Sequence, residues 1–138
     1  MKYRQIIRPE SEAAIQAAFF SWCELSSNKF PELNLFHSIP NGSHKGYASR
    51  YLHKVTGLKP GVPDTFLPVA RCGFHGLYIE FKSAKGRVRD EQKIWIAKLT
   101  EQGYLVRTCR DTETAIEIAK AYVQGNLAEL ERISNDQK

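Results

Sequence analysis

The sequence predicts an α/β domain in which a small mixed β-sheet is flanked by helices. Apolar side chains recur at helical spacing in four segments, and short runs rich in Leu, Val, Ile, Phe and Tyr separate them. The helical segments are 9–26, 45–56, 90–102 and 112–124, and the strand-like ones are 33–39, 65–69, 77–81 and 104–108. Alternation of the two kinds of segment is typical of this fold class. The length of 138 residues predicts a single domain, with its core at about 10–124 and a C-terminal tail at 125–138.

The charge of the chain is unevenly distributed. Residues 1–110 carry 17 basic and 9 acidic side chains, whereas residues 111–138 carry 3 and 6, within a net charge of +5. A positive field of this kind favours a polyanion such as nucleic acid. The three cysteines and four histidines have no zinc-ligand spacing. There is no signal peptide and no apolar run near the roughly 20 residues of a membrane span, so we expect a cytoplasmic protein.

The first half of the chain begins with a helix that starts at a proline in its first turn or at Ser11 as its cap. Residues 33–39 are expected to form a short strand, and residues 40–43 a turn.

The second helix has an apolar side and a cationic side. Arg50 and Lys54 lie one turn apart on the cationic side, and Gly57 is suited to end the helix. No acidic residue occurs between Glu32 and Asp64. This face is either simply solvated or a surface that contacts the DNA backbone.

The next two strands are predicted to form an antiparallel hairpin. Pairing about Cys72 places Asp64 opposite Glu80, with Cβ atoms roughly 4.5–5.5 Å apart. Because side chains alternate along a strand, Glu80 and Lys82 share one face while the apolar residues of 77–81 face the core. An isolated Glu-x-Lys is also compatible with a solvated strand face.

Two carboxylates this close repel each other unless a cation lies between them. Mg²⁺ or Mn²⁺ fits this pair, because hard cations take oxygen ligands from one or two carboxylates and from substrate phosphates. The backbone carbonyl of Phe81 can add a third oxygen. Lys82 is then placed to orient or deprotonate the attacking water and to stabilise the transition state.

A basic loop follows this strand. Its Lys85, Arg87 and Arg89 are candidate phosphate contacts, since the segment contains no element that reads bases in a groove.

The helix after the loop is expected to be capped by Asp90. It carries Gln92 on the same face as Trp95. A buried amide needs hydrogen-bond partners. Gln92 is therefore either a satisfied core amide or a residue of the active site.

The end of the chain is predicted to add a short helix around residues 127–133. Leu127, Leu130 and Ile133 form a narrow apolar edge there. This edge can dock on the core or on a second subunit, and the sequence leaves both open.

Four short motifs occur in order along the chain. They are Ile-Pro-Asn-Gly at 39–42, Gly-Val-Pro-Asp at 61–64, Ile-Glu-Phe-Lys at 79–82, and Gln92 followed by Trp95. The Asp…Glu-x-Lys core resembles that of the PD-(D/E)xK nucleases. The complete set resembles the VRR-NUC (virus-type replication-repair nuclease) domain over about residues 10–110. The resemblance implies a restriction-endonuclease-like core and a metal-dependent nuclease for branched or otherwise structured DNA. For small stand-alone members it also implies a homodimer suited to four-way junctions.

The same resemblance bears on three further residues. It implies that Glu12 supplies a third carboxylate to the metal site, although an acid in the first turn also benefits from the helix dipole. It favours Asn41 as a residue that approaches DNA or shapes the pocket, although a plain turn has the same composition. It favours Gln92 as a partner of the attacking water, the Lys82 region or a substrate phosphate.

From the sequence we therefore expect a Mg²⁺- or Mn²⁺-dependent DNA endonuclease with a role in DNA repair. Asp64, Glu80 and Lys82 form its core, with Gln92 and Glu12 in support. The expected DNA contacts are Asn41, Lys45, Arg50, Lys54, Lys85, Arg87 and Arg89. One compact domain with one site cuts one strand per event, so symmetric incision of a junction requires a homodimer. The alternatives are a nuclease for flap or single-stranded DNA and a nucleic-acid-binding module that does not cleave.

Overall fold

The computed structural model describes residues 11–40 and 47–136, except for the side chains of residues 47–50 and 134–136. Its helices are α1 (Glu12–Ser26), a 3₁₀ helix (Pro31–Leu35), α2 (Tyr47–Val55), α3 (Asp90–Glu101), α4 (Thr112–Val123) and α5 (Leu127–Asp136). Its strands are β1 (His37–Ser38), β2 (Thr65–Leu67), β3 (Leu77–Phe81) and β4 (Leu105–Cys109). The predicted fold class is confirmed. No helix in the described part of the chain has both the length and the apolar character needed to cross a bilayer.

The strands form one mixed sheet in the order β1-β2-β3-β4. β1, β2 and β3 are antiparallel neighbours, and α3 connects β3 to the parallel strand β4. Thr65 pairs with Ile79, so Asp64 stands opposite Glu80 at the next position. The predicted register of the hairpin is therefore confirmed.

The main core lies between the sheet and helices α1 and α4. The Phe19 ring of α1 packs on the rings of Phe36 and Phe81, at centroid distances of 5.1 and 5.6 Å. The Tyr122 hydroxyl of α4 donates to the Val69 carbonyl oxygen at 2.6 Å. This packing buries the apolar face of β3, so the opposite face of β3 remains for polar side chains.

The strand predicted at 33–39 is largely wrong. The 3₁₀ helix occupies residues 33–35 of that range, and the strand is reduced to the two residues of β1. Pro31 starts the turn, and the amide of Phe36 donates to the carbonyl oxygen of Leu33 at 3.1 Å. Leu33 and Phe36 are both buried. They are three residues apart, and a 3₁₀ helix places residues at this spacing on one side.

The expected cap of α3 is also wrong. Asp90 is the first residue of the helix, and Arg89 occupies the cap position. The side chain that accepts from the Arg89 N–H is Gln92 Oε1, at 2.9 Å. In a capping box, the side chain of the third helical residue accepts from the N–H of the cap residue. Gln92 makes this contact with Arg89, and it takes the place of the expected aspartate cap.

Helix α5 docks on the core of the same chain. Leu130 and Ile133 are buried against it, whereas Leu127 is 43% exposed. The Asn126 side chain accepts from the Glu129 N–H at 3.1 Å and caps the helix. The apolar edge predicted for this region is thus narrower than expected, and it packs inward.

Candidate active site

The centre of the site is a pair of carboxylates on neighbouring strands. The Asp64 N–H donates to Glu80 Oε1 at 3.2 Å, and the Phe81 N–H donates to Asp64 Oδ2 at 2.8 Å. Each carboxylate therefore accepts from the backbone of the opposite strand. This pattern holds both acids at the end of the β2–β3 ladder, with their side chains on the face away from the main core.

The Gly-Val-Pro-Asp turn reaches this position by passing close to α3. Gly61 has φ +95°, and a Cβ there would lie 2.8 Å from both the Glu91 carbonyl oxygen and Trp95 Cδ1. A side chain is excluded by the backbone conformation and by the space. Two motifs that are separate in the sequence, at 61–64 and at Gln92 with Trp95, are thus parts of one packing contact.

Lys82 and Gln92 complete the environment of Glu80. Lys82 Nζ lies 3.4 Å from Glu80 Oε2, and Gln92 Nε2 donates to the same oxygen at 2.7 Å. Since Gln92 Oε1 accepts from the Arg89 N–H, both ends of the amide are occupied. Gln92 is thus a satisfied buried amide and, at the same time, a direct partner of a candidate site residue.

Three polar side chains of the site are almost closed to solvent, whereas Asp64 is half-buried. Glu80, Lys82 and Gln92 are 2%, 5% and 3% exposed. Burial raises the pKa of Glu80 to about 7, with a further upward contribution from Asp64 that Lys82 opposes. Burial also raises the pKa of Asp64, and so does the charge of Glu12, while the hydrogen bond from the Phe81 N–H lowers it. Ionisation of these two carboxylates is therefore unfavourable in the folded protein, and a bound cation would offset that free-energy cost.

Glu12 lies at the edge of this site, in the first turn of α1. Its side chain is exposed, unlike that of Glu80. A Cβ at Gly86 would lie 3.2 Å from Glu12 Oε2, so the carboxylate touches the loop that follows Lys82. The charge of Glu12 therefore acts on Asp64 and raises its pKa. Glu12 also lies in the first turn of α1, where the helix dipole favours an acid.

The basic loop between β3 and α3 is ordered by Arg110, a residue that the sequence reasoning missed. Arg110 Nη1 donates to the carbonyl oxygens of Ser83 and Gly86 at 2.9 and 2.6 Å. Its partners lie 24 and 27 residues earlier in the chain. No local pattern predicts such a contact, and the position of Arg110 directly after β4 is the nearest signal.

The candidate DNA contacts fall into two groups. Lys85, Arg87 and Arg89 are exposed on the loop between β3 and α3, and Lys54 is exposed in the last turn of α2. Arg89 makes an exposed ion pair with Glu91 at 3.7 Å. Arg50 belongs to α2, but its side chain lies outside the described residues, as do Asn41 and Lys45 entirely.

The donor set fits a hard cation that keeps much of its water. Among the residues described, no three His, Cys, Asp or Glu side chains already form a metal cluster. Mg²⁺ does not need such a cluster, since one or two carboxylates, waters and substrate phosphates suffice. Asp64 and Glu80 would supply the carboxylates; their ligand role and that of the Phe81 carbonyl stay predictions.

A mixed α/β fold with these acids and a lysine at its central hairpin defines a nuclease-type domain. The sequence model of the VRR-NUC domain family matches residues 2–112, and the chain belongs to that family. A solved structure named "VRR_NUC domain protein" is 26% identical and superposes with a TM-score of 0.70. The match covers 85% of this chain and 91% of that one. No curated protein matches the chain at a significant level.

Proposed function

We propose that this protein is a divalent-metal-dependent endonuclease that hydrolyses phosphodiester bonds in structured or branched DNA. One observation carries the proposal. Asp64, directly before β2, and Glu80 of β3 face each other; Glu80 is buried and Asp64 half-buried, and Lys82 Nζ lies 3.4 Å from Glu80 Oε2. A buried Glu80 beside a half-buried Asp64, both with raised pKa values, does little for stability, because desolvation and the negative charge of neighbouring acids oppose their ionisation. They are well suited to holding a cation.

Asp64 and Glu80 would hold the metal, with the Phe81 carbonyl as a third protein oxygen and Glu12 at the edge of its water shell. When bound, Mg²⁺ or Mn²⁺ supplies a Lewis acid that lowers the pKa of water and neutralises charge that develops on the phosphate. The raised pKa of Glu80 predicts that binding displaces a proton near neutral pH, since ligands of a hard cation must be deprotonated.

Lys82 and Gln92 act on the same centre from the protein side. The Lys82 ammonium is buried beside Glu80, where its charge is weakly screened and can orient the attacking water and stabilise the transition state. Gln92 holds Glu80 in one orientation through its Nε2, while α3 holds Gln92 through the Arg89 N–H. This second layer of contacts limits how far the carboxylate can move.

The positive charge beside the site favours a nucleic-acid substrate. The cationic residues 85, 87 and 89 lie on the loop that directly follows Lys82, so a phosphate backbone bound there passes the acidic pair. Contacts of this kind select shape and charge over base sequence. A homodimer would place two sites on one branched substrate and allow paired cuts.

The test is a cleavage assay on synthetic four-way, flap, duplex and single-stranded DNA with Mg²⁺, Mn²⁺ or EDTA. We expect cleavage of branched DNA with metal and none with EDTA. Asp64→Asn and Lys82→Met should lower the rate about a hundredfold to a thousandfold while retaining DNA binding. The matched controls are Asp90→Asn and Lys93→Met, which change exposed residues of α3.

The outcomes separate the rival functions. Faster cleavage of flap or single-stranded DNA would show that this DNA, and not branched DNA, is the substrate. DNA binding without cleavage under every metal condition would show that the protein is a binding module. Unchanged cleavage by Asp64→Asn or Lys82→Met would remove that residue from the mechanism. Light scattering of the free protein measures the oligomeric state.

A further inference from the structure

Arg110 makes hydrogen bonds to the backbone of the loop that follows Lys82. Its Nη1 donates to the carbonyl oxygens of Ser83, Ala84 and Gly86 at 2.9, 3.5 and 2.6 Å. Hydrogen bonds from a charged donor are roughly twice as strong as neutral ones. Three carbonyl oxygens that converge on one nitrogen would otherwise repel each other or need water.

The sheet places Arg110 where it can do this. Phe81 pairs with Cys109 across β3 and β4, and the Lys82 N–H donates to the Cys109 carbonyl oxygen at 3.0 Å. Arg110 therefore follows the last rung of this parallel ladder, next to the point where the chain leaves Lys82. The guanidinium is anchored by the strand and reaches over the loop.

The loop in turn abuts Glu12. The Gly86 N–H donates to the Ser83 carbonyl oxygen at 3.1 Å and closes a tight turn. A Cβ at Gly86 would lie 3.0 Å from Ser83 Oγ and 3.2 Å from Glu12 Oε2. Arg110, the 83–86 turn and Glu12 thus form one continuous set of contacts that ends at an acid of α1 whose charge acts on Asp64.

We propose that Arg110 is a positioning residue, which holds the 83–86 turn against Glu12 and thereby keeps the Glu12 carboxylate beside the acidic pair. The like charges of Lys85, Arg87 and Arg89 favour an extended loop, and the hydrogen bonds from Arg110 to its backbone oppose that tendency. Arg110 acts through the turn and does not touch the reacting phosphate. Its catalytic consequence depends on the proposed nuclease function, whereas its hold on the turn does not.

The hold on the turn is tested by amide hydrogen exchange of the full chain, without DNA or metal. Arg110→Met should speed exchange at the Gly86 amide about tenfold or more, and Arg110→Lys should give a smaller increase. The matched control is Arg132→Met on α5, which loses the same charge and ion pairs with Glu117 and Glu129. Unchanged exchange at Gly86 in Arg110→Met would overturn the proposal, whether or not the protein cleaves DNA.

The catalytic consequence is tested by single-turnover cleavage at saturating DNA and Mg²⁺. We expect Arg110→Met to lower this rate about tenfold, in the range for outer partners of a metal site. Gly86→Ala, which keeps Arg110 but crowds Ser83 and Glu12, should lower it similarly. The salt dependence of DNA binding should stay unchanged in Arg110→Met.

Two results would overturn this role. A salt slope reduced by about one in Arg110→Met would show that Arg110 binds a phosphate directly. Fast exchange at Gly86 with an unaltered cleavage rate would show that the turn does not serve the site. If the wild-type protein cleaves no DNA, the proposed function fails, while the exchange experiment still decides whether Arg110 holds the turn.

Discussion

Gln92 joins helix α3 to strand β3 through a single buried side chain. Its Nε2 donates to Glu80 Oε2 at 2.7 Å, and its Oε1 accepts from the Arg89 N–H at 2.9 Å. The same amide therefore caps a helix and orients a carboxylate of the site. The start of α3 and the direction of Glu80 cannot vary independently.

Gln92→Glu separates these two roles. A carboxylate still accepts from the Arg89 N–H at the helix N-terminus, but it cannot donate to Glu80 and adds a negative charge beside it. We expect the free energy of unfolding to fall by about 1–3 kcal/mol at pH 8. The pKa of Glu80 should rise further, so the pH–rate profile should shift to higher pH.

Urea denaturation and a pH–rate profile measure the two effects. Gln102→Glu, an exposed position at the other end of α3, is the control for adding an acid to the helix. A pH–rate profile of Gln92→Glu that coincides with wild type would contradict the contact with Glu80 as an influence on the reaction.

Glu80 predicts a pH dependence of stability in the absence of metal. Its pKa is raised from 4.5 to about 7 in the folded protein, so the folded state holds a proton that the unfolded chain releases between these pH values. The free energy of unfolding should therefore decrease as the pH rises from 4.5 to about 7, by about 3 kcal/mol from this group. Glu80→Gln should remove that decrease, because a neutral amide does not titrate.

The measurement is urea unfolding at pH 5 and pH 8 in EDTA, with the exposed Glu91→Gln as control. Parallel pH profiles for wild type and Glu80→Gln would show that Glu80 does not titrate in this range. Addition of Mg²⁺ at pH 8 should then stabilise wild type more than Glu80→Gln, since a ligand stabilises the state that binds it.

Gly61 and Gly73 allow a comparison between strain and crowding. Both have positive φ, +95° and +85°, but only at Gly61 would a Cβ meet neighbouring atoms at 2.8 Å. Gly73→Ala should cost about 1 kcal/mol through backbone strain alone. Gly61→Ala should cost several kcal/mol, since the new Cβ meets both backbone and the Trp95 ring. Equal destabilisation of the two variants in thermal or urea unfolding would show that the contact with α3 yields easily.

The basic loop should set the salt dependence of DNA binding. Lys85→Ala and Arg87→Ala should each reduce the slope of log K against log salt concentration by about one, with a similar loss for every sequence. Lys120→Ala, an exposed lysine on α4, should leave the slope unchanged. Fluorescence anisotropy in EDTA measures DNA binding without cleavage. An unchanged slope for both loop variants would show that the DNA backbone does not bind at this loop.

Much of the fold followed from patterns that act over a few residues. The helical spacing of α1 and α4 and the hairpin register about Cys72 are set by alternation of apolar side chains, and the structure has them as predicted. The segment at 33–39 failed, since buried residues three apart fit a 3₁₀ helix as well as a ragged strand. The cap of α3 failed because Gln92 competes with Asp90 for the helix start.

The sequence by itself determined which chemistry is available: Asp64, Glu80 and Lys82 within one hairpin, with the register that places the acids opposite each other. Only the tertiary structure decided how that chemistry is enclosed. Gly61 against Trp95 and Arg110 over the 83–86 turn join residues more than twenty positions apart. Such contacts depend on how whole helices and strands pack. The local sequence around either residue contains no pattern that predicts the other residue as its partner.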